Sequence, residues 1–256
     1  MSLGPQLLCP APSSPAPPPP PLPFAVPIVD TFTASNGTDP TSRDIDSYAG
    51  IDALKRWAAN YQPGQIQSNM LVGGGAWVAD SIQVVNIELN TGAIRYPLPA
   101  TWFLLIDGLT LAAGAYANDT VAPSFYLNLD GINGRIQWNS YRSSSGGSGI
   151  RSFWDLTDGF GTHYYSYDNP AWDPYYTIAG LGPHKFGVFI GQTKASLILN
   201  GAVIAESPDG VGVFYDFNRL VIEVDGSLTA DTTLNRIAIY GPDDVADLAA
   251  AVALTT

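Results

Sequence analysis

From Ile28 onward, apolar residues recur in short runs or at every second position, and turn dipeptides separate them. A period of two sends successive side chains to opposite faces, the pattern of a strand with one buried side. The separating pairs are Asn36-Gly37, Thr91-Gly92, Asp130-Gly131, Asn133-Gly134, Asp158-Gly159, Asn200-Gly201, Asp209-Gly210 and Asp225-Gly226. Asn or Asp before Gly supplies the positive φ that tight hairpins need. The clearest hairpin joins residues 196–199 to 202–205 through Asn200-Gly201. Further strands are predicted over 65–72, 81–89, 101–111, 124–129, 135–138, 184–190, 220–224 and 234–240. About ten strands at this spacing imply two packed antiparallel sheets.

Two segments leave that period. Ile51, Leu54, Trp57, Ala58 and Tyr61 recur at helical spacing and stop before Pro63-Gly64, so a short amphipathic helix is predicted over 51–60. A C-terminal helix is predicted to open at Pro242, with Asp243 and Asp244 in the first turn where the helix dipole favours negative charge. Its stripe of Val245, Leu248, Ala249 and Val252 would pack on the sandwich or on a neighbour. At the other end, 11 of the 21 prolines fall in residues 1–27, including the run Pro17 to Pro21, and no charged residue precedes Asp30. Proline donates no ladder hydrogen bond and favours extended polyproline conformation, so residues 1–27 read as an arm and 28–256 as the folded domain. The arm is a stiff solvated spacer, or it lies against a partner through Leu3, Leu7, Leu8, Leu22, Phe24 and Val26.

Composition narrows the classes. Of 256 residues 46% are hydrophobic and only 13% charged, which excludes general disorder. The net charge of −12, with no cluster of Lys or Arg, argues against a nucleic-acid partner. The single cysteine, Cys9, excludes an intrachain disulfide and a multi-thiolate zinc site. No run approaches the roughly 20 apolar residues of a membrane span, so no membrane insertion is expected. The first residues have neither the basic nor the apolar region of an export signal, and Leu8 stands where a lipoprotein site wants a small residue before cysteine.

Three stretches together resemble a known superfamily. They are Val29-Asp30-Thr31-Phe32-Thr33 leading to Asn36-Gly37-Thr38, the run His184 to Ile190 with the Asn200-Gly201 hairpin, and the closing Leu234 to Tyr240 before an acidic helix. They look like the laminin G-like or concanavalin A-like lectin jelly roll, of the kind found on bacteriophage structural proteins. The resemblance covers most of residues 28–256 and rests on hairpin chemistry and strand order. It implies an all-β, antiparallel two-sheet jelly-roll sandwich with a short internal helix, a C-terminal helix and an extended Pro-rich arm. It also implies a virion component, head or tail appendage, assembled in the host cytoplasm, whose partners are other virion proteins, copies of itself and host-surface glycans. That step is analogy, since fold does not fix function.

Catalytic motifs are sparse. Jelly-roll glycosidases resembling this chain carry Glu-x-Asp-x-x-Glu or Glu-x-Asp-x-Glu on one strand, since hydrolysis needs two opposed carboxylates. The nearest match, Glu223-Val224-Asp225, has no second glutamate after it, and Glu88 and Glu206 also lack that context. Gly146-Gly147-Ser148-Gly149 falls short of a nucleophile elbow and reads as a loop tip. His163 and His184 are isolated from each other and from Cys9. Neither a catalytic site nor a cofactor is therefore expected. Calcium remains open, because loop oxygens suit hard cations; Asp130 with Asn133, Asp155 with Asp158, and Asp168 with Asn169 and Asp173 are the candidates.

The most informative stretch is 138–176, which holds 11 of the 29 aromatic residues among Gly, Ser, Asp and Asn. Alternation there is poor, so much of it is expected as loop. Trp154, Tyr164, Tyr165, Tyr167, Trp172, Tyr175 and Tyr176 could stack on sugar rings, form a subunit interface or cap the sandwich. The reading that results is a non-enzymatic structural or decoration component of a phage particle anchored by its arm. The alternatives are a lectin-like sugar-binding module and a carbohydrate-active hydrolase with a non-standard carboxylate pair.

Overall fold

Alternating strands become two stacked antiparallel sheets, each long enough to bury one full face against the other. The computed structural model describes residues 27–59, 64–73, 84–92, 96–112, 124–131, 134–142, 149–157, 163–165, 176–179, 182–210, 216–225 and 231–256. One sheet has seven strands, in the order Ala202–Glu206, Ala195–Leu199, His184–Ile190, Trp102–Leu109, Arg236–Tyr240, Ile28–Asp30 and Ser47–Tyr48. The other has eight, in the order His163–Tyr165, Gly149–Thr157, Gly134–Arg142, Ser124–Gly131, Arg219–Asp225, Val84–Asn90 and Ala58–Ala59, with Tyr176–Ala179 also pairing with Gly149–Thr157. Sequence neighbours repeatedly sit in different sheets, the connectivity of a jelly-roll sandwich. Leu104, Ile106, Val188 and Ile237 of the first sheet meet Ile87, Leu127, Leu129, Leu220 and Ile222 of the second in one apolar core. Phe125 and Phe186 bridge the layers edge to face at 5.8 Å.

A second, smaller core lies on the outer side of the seven-stranded sheet. There Phe103, Leu105, Phe189, Ile198 and Ala238 are covered by Val245 and Ala251 of the C-terminal segment. The strand Trp102–Leu109 is thus buried on both faces from Trp102 to Ile106, which is why those five residues read as an unbroken apolar run. Gly187 belongs to the same arrangement, for a Cβ there would stand 2.2 Å from the Phe103 ring.

Several predicted elements take a different form. The helix expected from Pro242 begins only at Leu248 and runs to Leu254, with Asp247 Oδ1 accepting from the Ala250 amide at 2.8 Å. Pro242 to Asp244 form a turn instead, because Val245 is wholly buried against the sheet before the helix starts. The strand expected over 65–72 is a hairpin, Gln65–Gln67 and Met70–Gly73, turned by Ser68 and Asn69 at φ 52° and 59°. In and just beyond the aromatic-rich stretch, of which much was expected as loop, Gly149–Thr157, His163–Tyr165 and Tyr176–Ala179 are strands, and 143–148, 158–162 and 166–175 lie outside the described residues. The Asn200-Gly201 hairpin is as predicted, with both residues at positive φ.

The internal helix expected over 51–60 is reduced to one 3-10 turn, Asp52–Leu54. Tertiary demands on Trp57 and its successors explain this. Ala58 and Ala59 must extend to pair with Glu88 and Ile87. Trp57 must reach Asp30, whose carboxylate is 1% exposed and accepts from Trp57 Nε1 at 2.6 Å, from the Phe32 amide at 2.8 Å and from Arg43. Phe32 stacks on Trp57 with ring centroids 6.2 Å apart, and the Arg43 guanidinium lies 6.0 Å from the Phe32 ring centre. Phe32 itself is held at φ 51°, a conformation a bulky residue adopts only where its surroundings impose it.

Burial raises the Asp30 pKa above its usual value, against the opposing pull of Arg43, Trp57 and the Phe32 amide. The folded state therefore holds this proton more tightly than the unfolded chain, and the group's contribution to stability grows as pH falls toward 3.8. Replacing Asp30 with Ala removes the acceptor shared by Trp57 Nε1, the Phe32 amide and Arg43, the last 16% exposed. The expected loss at neutral pH is about 3 kcal/mol, the low end for breaking a buried pair. Denaturant titrations of both proteins from neutral pH toward 3.8 should show the wild-type advantage widening; a constant or shrinking gap would refute the assignment.

Candidate functional site

On four neighbouring strands of the eight-stranded sheet, the residues between the core positions are polar with the exception of Val221. Ile87 and Leu89, Phe125, Leu127 and Leu129, Ile136, and Leu220, Ile222 and Val224 face the core. Alternation sends Asn86, Glu88, Tyr126, Asn128, Asp130, Arg135, Gln137, Arg219, Val221 and Glu223 to the opposite face. The described α-helix packs on the other sheet and takes no part here.

Register arranges these residues in three cross-strand rows. Asn86 stands opposite Glu223, which stands opposite Tyr126 and then Asn139. Glu88 leads through Val221, Asn128 and Gln137 to Asp155 and Tyr165. Asn90 leads through Arg219, Asp130 and Arg135 to Thr157 and His163. Side-chain hydrogen bonds tie the rows together. Asn86 Nδ2 donates to Glu223 Oε2 at 3.1 Å, Asn128 Nδ2 to Asp130 Oδ2 at 2.7 Å, and Gln137 Nε2 to the Tyr126 hydroxyl at 2.7 Å. Arg219 grips Glu88 Oε2 through Nε and Nη2, both at 2.6 Å.

Burial raises the pKa of Tyr126, with Asp130 and Glu223 adding to the shift and Arg135 and Arg219 opposing it. The phenol stays protonated at neutral pH, accepting from Gln137 while its own O–H can donate. Two acceptors, Asn86 Oδ1 and Asn128 Oδ1, are buried without a hydrogen-bond partner. Native folds leave few such atoms unpaired, so each asks for an explanation. The arrangement is a rigid field of amide, carboxylate, phenol and guanidinium groups on strand backbone, suited to orienting a ligand through many hydrogen bonds.

Of the predicted site residues, Trp154, Tyr164, Tyr165 and Tyr176 lie on described strands. Leu3, Leu7, Leu8, Leu22, Phe24 and Val26 lie outside the described residues, as do Tyr167, Trp172 and Tyr175. Tyr165 is in the second polar row, opposite Asp155. Trp154 stands opposite Trp138, in the row that continues through Leu127, Ile222 and Ile87. Tyr164 is opposite Leu156, and Tyr176 is opposite Ser152. Of the calcium candidates, Asn133, Asp158, Asp168, Asn169 and Asp173 lie outside the described residues, while Asp130 and Asp155 are on strands. Among the described residues no group of three or more His, Cys, Asp and Glu is placed to hold a metal, and no described helix is long and apolar enough to cross a membrane. His184 belongs to the other sheet and is buried, its Nδ1 3.1 Å from Asn200 Nδ2.

Motif reasoning passed over Asn86, Tyr126, Asn128, Gln137 and Arg219, and set Glu88 and Glu223 aside for want of context. Their signal was the polar half of the strand alternation. Glu88 and Glu223 are on adjacent strands of one face, since Glu88 is opposite Val221.

No family model and no curated protein matches the chain. Among solved structures it is similar to a Crh5 transglycosylase in complex with NAG, at 11% identity over 85% of each chain with a TM-score of 0.49. It is similar to SCLam, a non-specific endo-β-1,3(4)-glucanase from family GH16, at 12% identity over 86% of this chain and 94% of that one, TM-score 0.46. A third is the Caenorhabditis elegans galectin LEC-6, at 12% identity over 60% of this chain and 95% of that one, TM-score 0.32. At these identities and TM-scores the likenesses carry no argument about chemistry, which rests on the geometry of the sheet.

Proposed function

We propose that the chain is a saccharide-binding jelly-roll module whose ligand lies across the polar face of the eight-stranded sheet. The observation that carries the reading is the three-row array from Asn86, Glu88 and Asn90 across to Asn139, Asp155 and Thr157. A sugar ring presents hydroxyls that both donate and accept, and alternating amides, carboxylates and a protonated phenol complement such groups. Strands hold these groups more rigidly than loops would, which lowers the entropy lost on binding.

Immobilised oligosaccharides probed with the intact protein test this. Asn128→Ala, which removes a buried amide from the middle row, should weaken any captured sugar about tenfold, equivalent to roughly 1.4 kcal/mol. Unchanged affinity would place the ligand elsewhere. Release of shorter products, lost in Glu223→Gln, would replace simple binding by hydrolysis.

The arm favours a second reading, an appendage of a virus particle. Residues 1–27 carry 11 prolines, no charge and six apolar side chains suited to lying against another protein. On that reading the arm anchors the module to the virion, copies of the chain associate with one another, and the sheet meets host-surface glycans. Deleting residues 1–27 should leave a cooperatively folded sandwich and abolish association with particles. Particle association retained after the deletion would defeat the anchoring role.

A further inference from the structure

Among the described side chains, the polar face carries more negative than positive ones. Glu88, Asp130 and Glu223 stand there with Arg135 and Arg219, and the chain as a whole is at −12. Arg219 is already engaged by Glu88 through two contacts of 2.6 Å. Arg135 is at the register position opposite Asp130. An anionic ligand would have to compete with the protein's own carboxylates for these guanidinium groups.

Hydrogen-bond polarity points the same way. The side-chain NH2 groups of Asn86, Asn128 and Gln137 each donate one N–H to a protein oxygen, whereas Asn86 Oδ1 and Asn128 Oδ1 have no partner among the described residues. Asn128 is only 7% exposed, so its unpaired acceptor is costly until a donor reaches it. A hydroxyl can donate to such an acceptor; a carboxylate has no proton to give.

We propose, resting on the saccharide reading above, that the ligand is a neutral saccharide and that this face discriminates against uronate-bearing chains. Discrimination arises because a uronate places like charges together and replaces one hydroxyl donor by a carboxylate with no proton to give the amide acceptors, a selection by repulsion more than by contact.

Titration calorimetry on the intact chain tests the proposal with two sets of probes. The neutral set is cello-, laminari- and galacto-oligosaccharides; the acidic set is oligogalacturonate and alginate oligomers of matched length. At low ionic strength the best neutral probe should bind at least about tenfold more tightly than any acidic one, with the gap narrowing as salt screens the face. Acidic oligomers bound equally or more tightly would overturn the proposal while leaving saccharide binding intact. Failure of every probe in both sets would overturn the saccharide reading and the proposal with it. The double variant Glu223→Gln, Asp130→Asn should raise the ratio of acidic to neutral affinity several-fold, and an unchanged ratio would locate the discrimination outside this face.

Discussion

Burial of the strand Trp102–Leu109 on both of its faces governs how the rest of the molecule can be used. Trp102, Leu104 and Ile106 point into the space between the sheets, while Phe103 and Leu105 sit beneath the C-terminal segment. Each such side chain contributes about 1.5–3 kcal/mol by leaving water, so the second layer is as much a part of the core as the first. The seven-stranded sheet is sealed in this way over Phe103, Leu105 and Ile198. Polar chemistry is left to the outer face of the eight-stranded sheet, where amides, carboxylates and guanidinium groups replace the apolar cover.

The network around Asp30 has a different purpose. Its members, Asp30, Phe32, Arg43 and Trp57, come from the first part of the domain and close it against the sheet edge. A buried carboxylate is an expensive anchor, and its raised pKa records that cost. The return is a defined path for residues 31–57, reinforced by Thr31 donating to Asp46 and by Arg56 and Lys55 pairing with Asp44. The polar face shows the same physics differently arranged, with several charges sharing partners so that no single group bears the whole desolvation penalty.

Comparison of particular elements shows where sequence periodicity suffices and where it fails. The Asn200-Gly201 hairpin and the strand His184–Ile190 were legible because their determinants are local: two residues at positive φ and a short apolar run. The segment 51–60 misled because Ile51 and Leu54, three apart, satisfy a single 3-10 turn as well as a helix. Only the pairing of Ala58 and Ala59 with the strand Val84–Asn90, and the reach of Trp57 to Asp30, decide between them. The late start of the C-terminal helix has a similar origin in the burial of Val245.

By itself the sequence determined the all-β class and the Asn200-Gly201 hairpin, because both follow from the conformational limits of Gly and of alternating side chains. It also specified every residue of the polar array, as the non-core half of each strand. Tertiary structure alone decided that Asn86, Glu88, Tyr126, Asn128, Gln137, Arg219 and Glu223 share one surface. Their strands are far apart in the chain, and register between distant strands is set by the packing of both sheets against a common core, information that no local pattern contains.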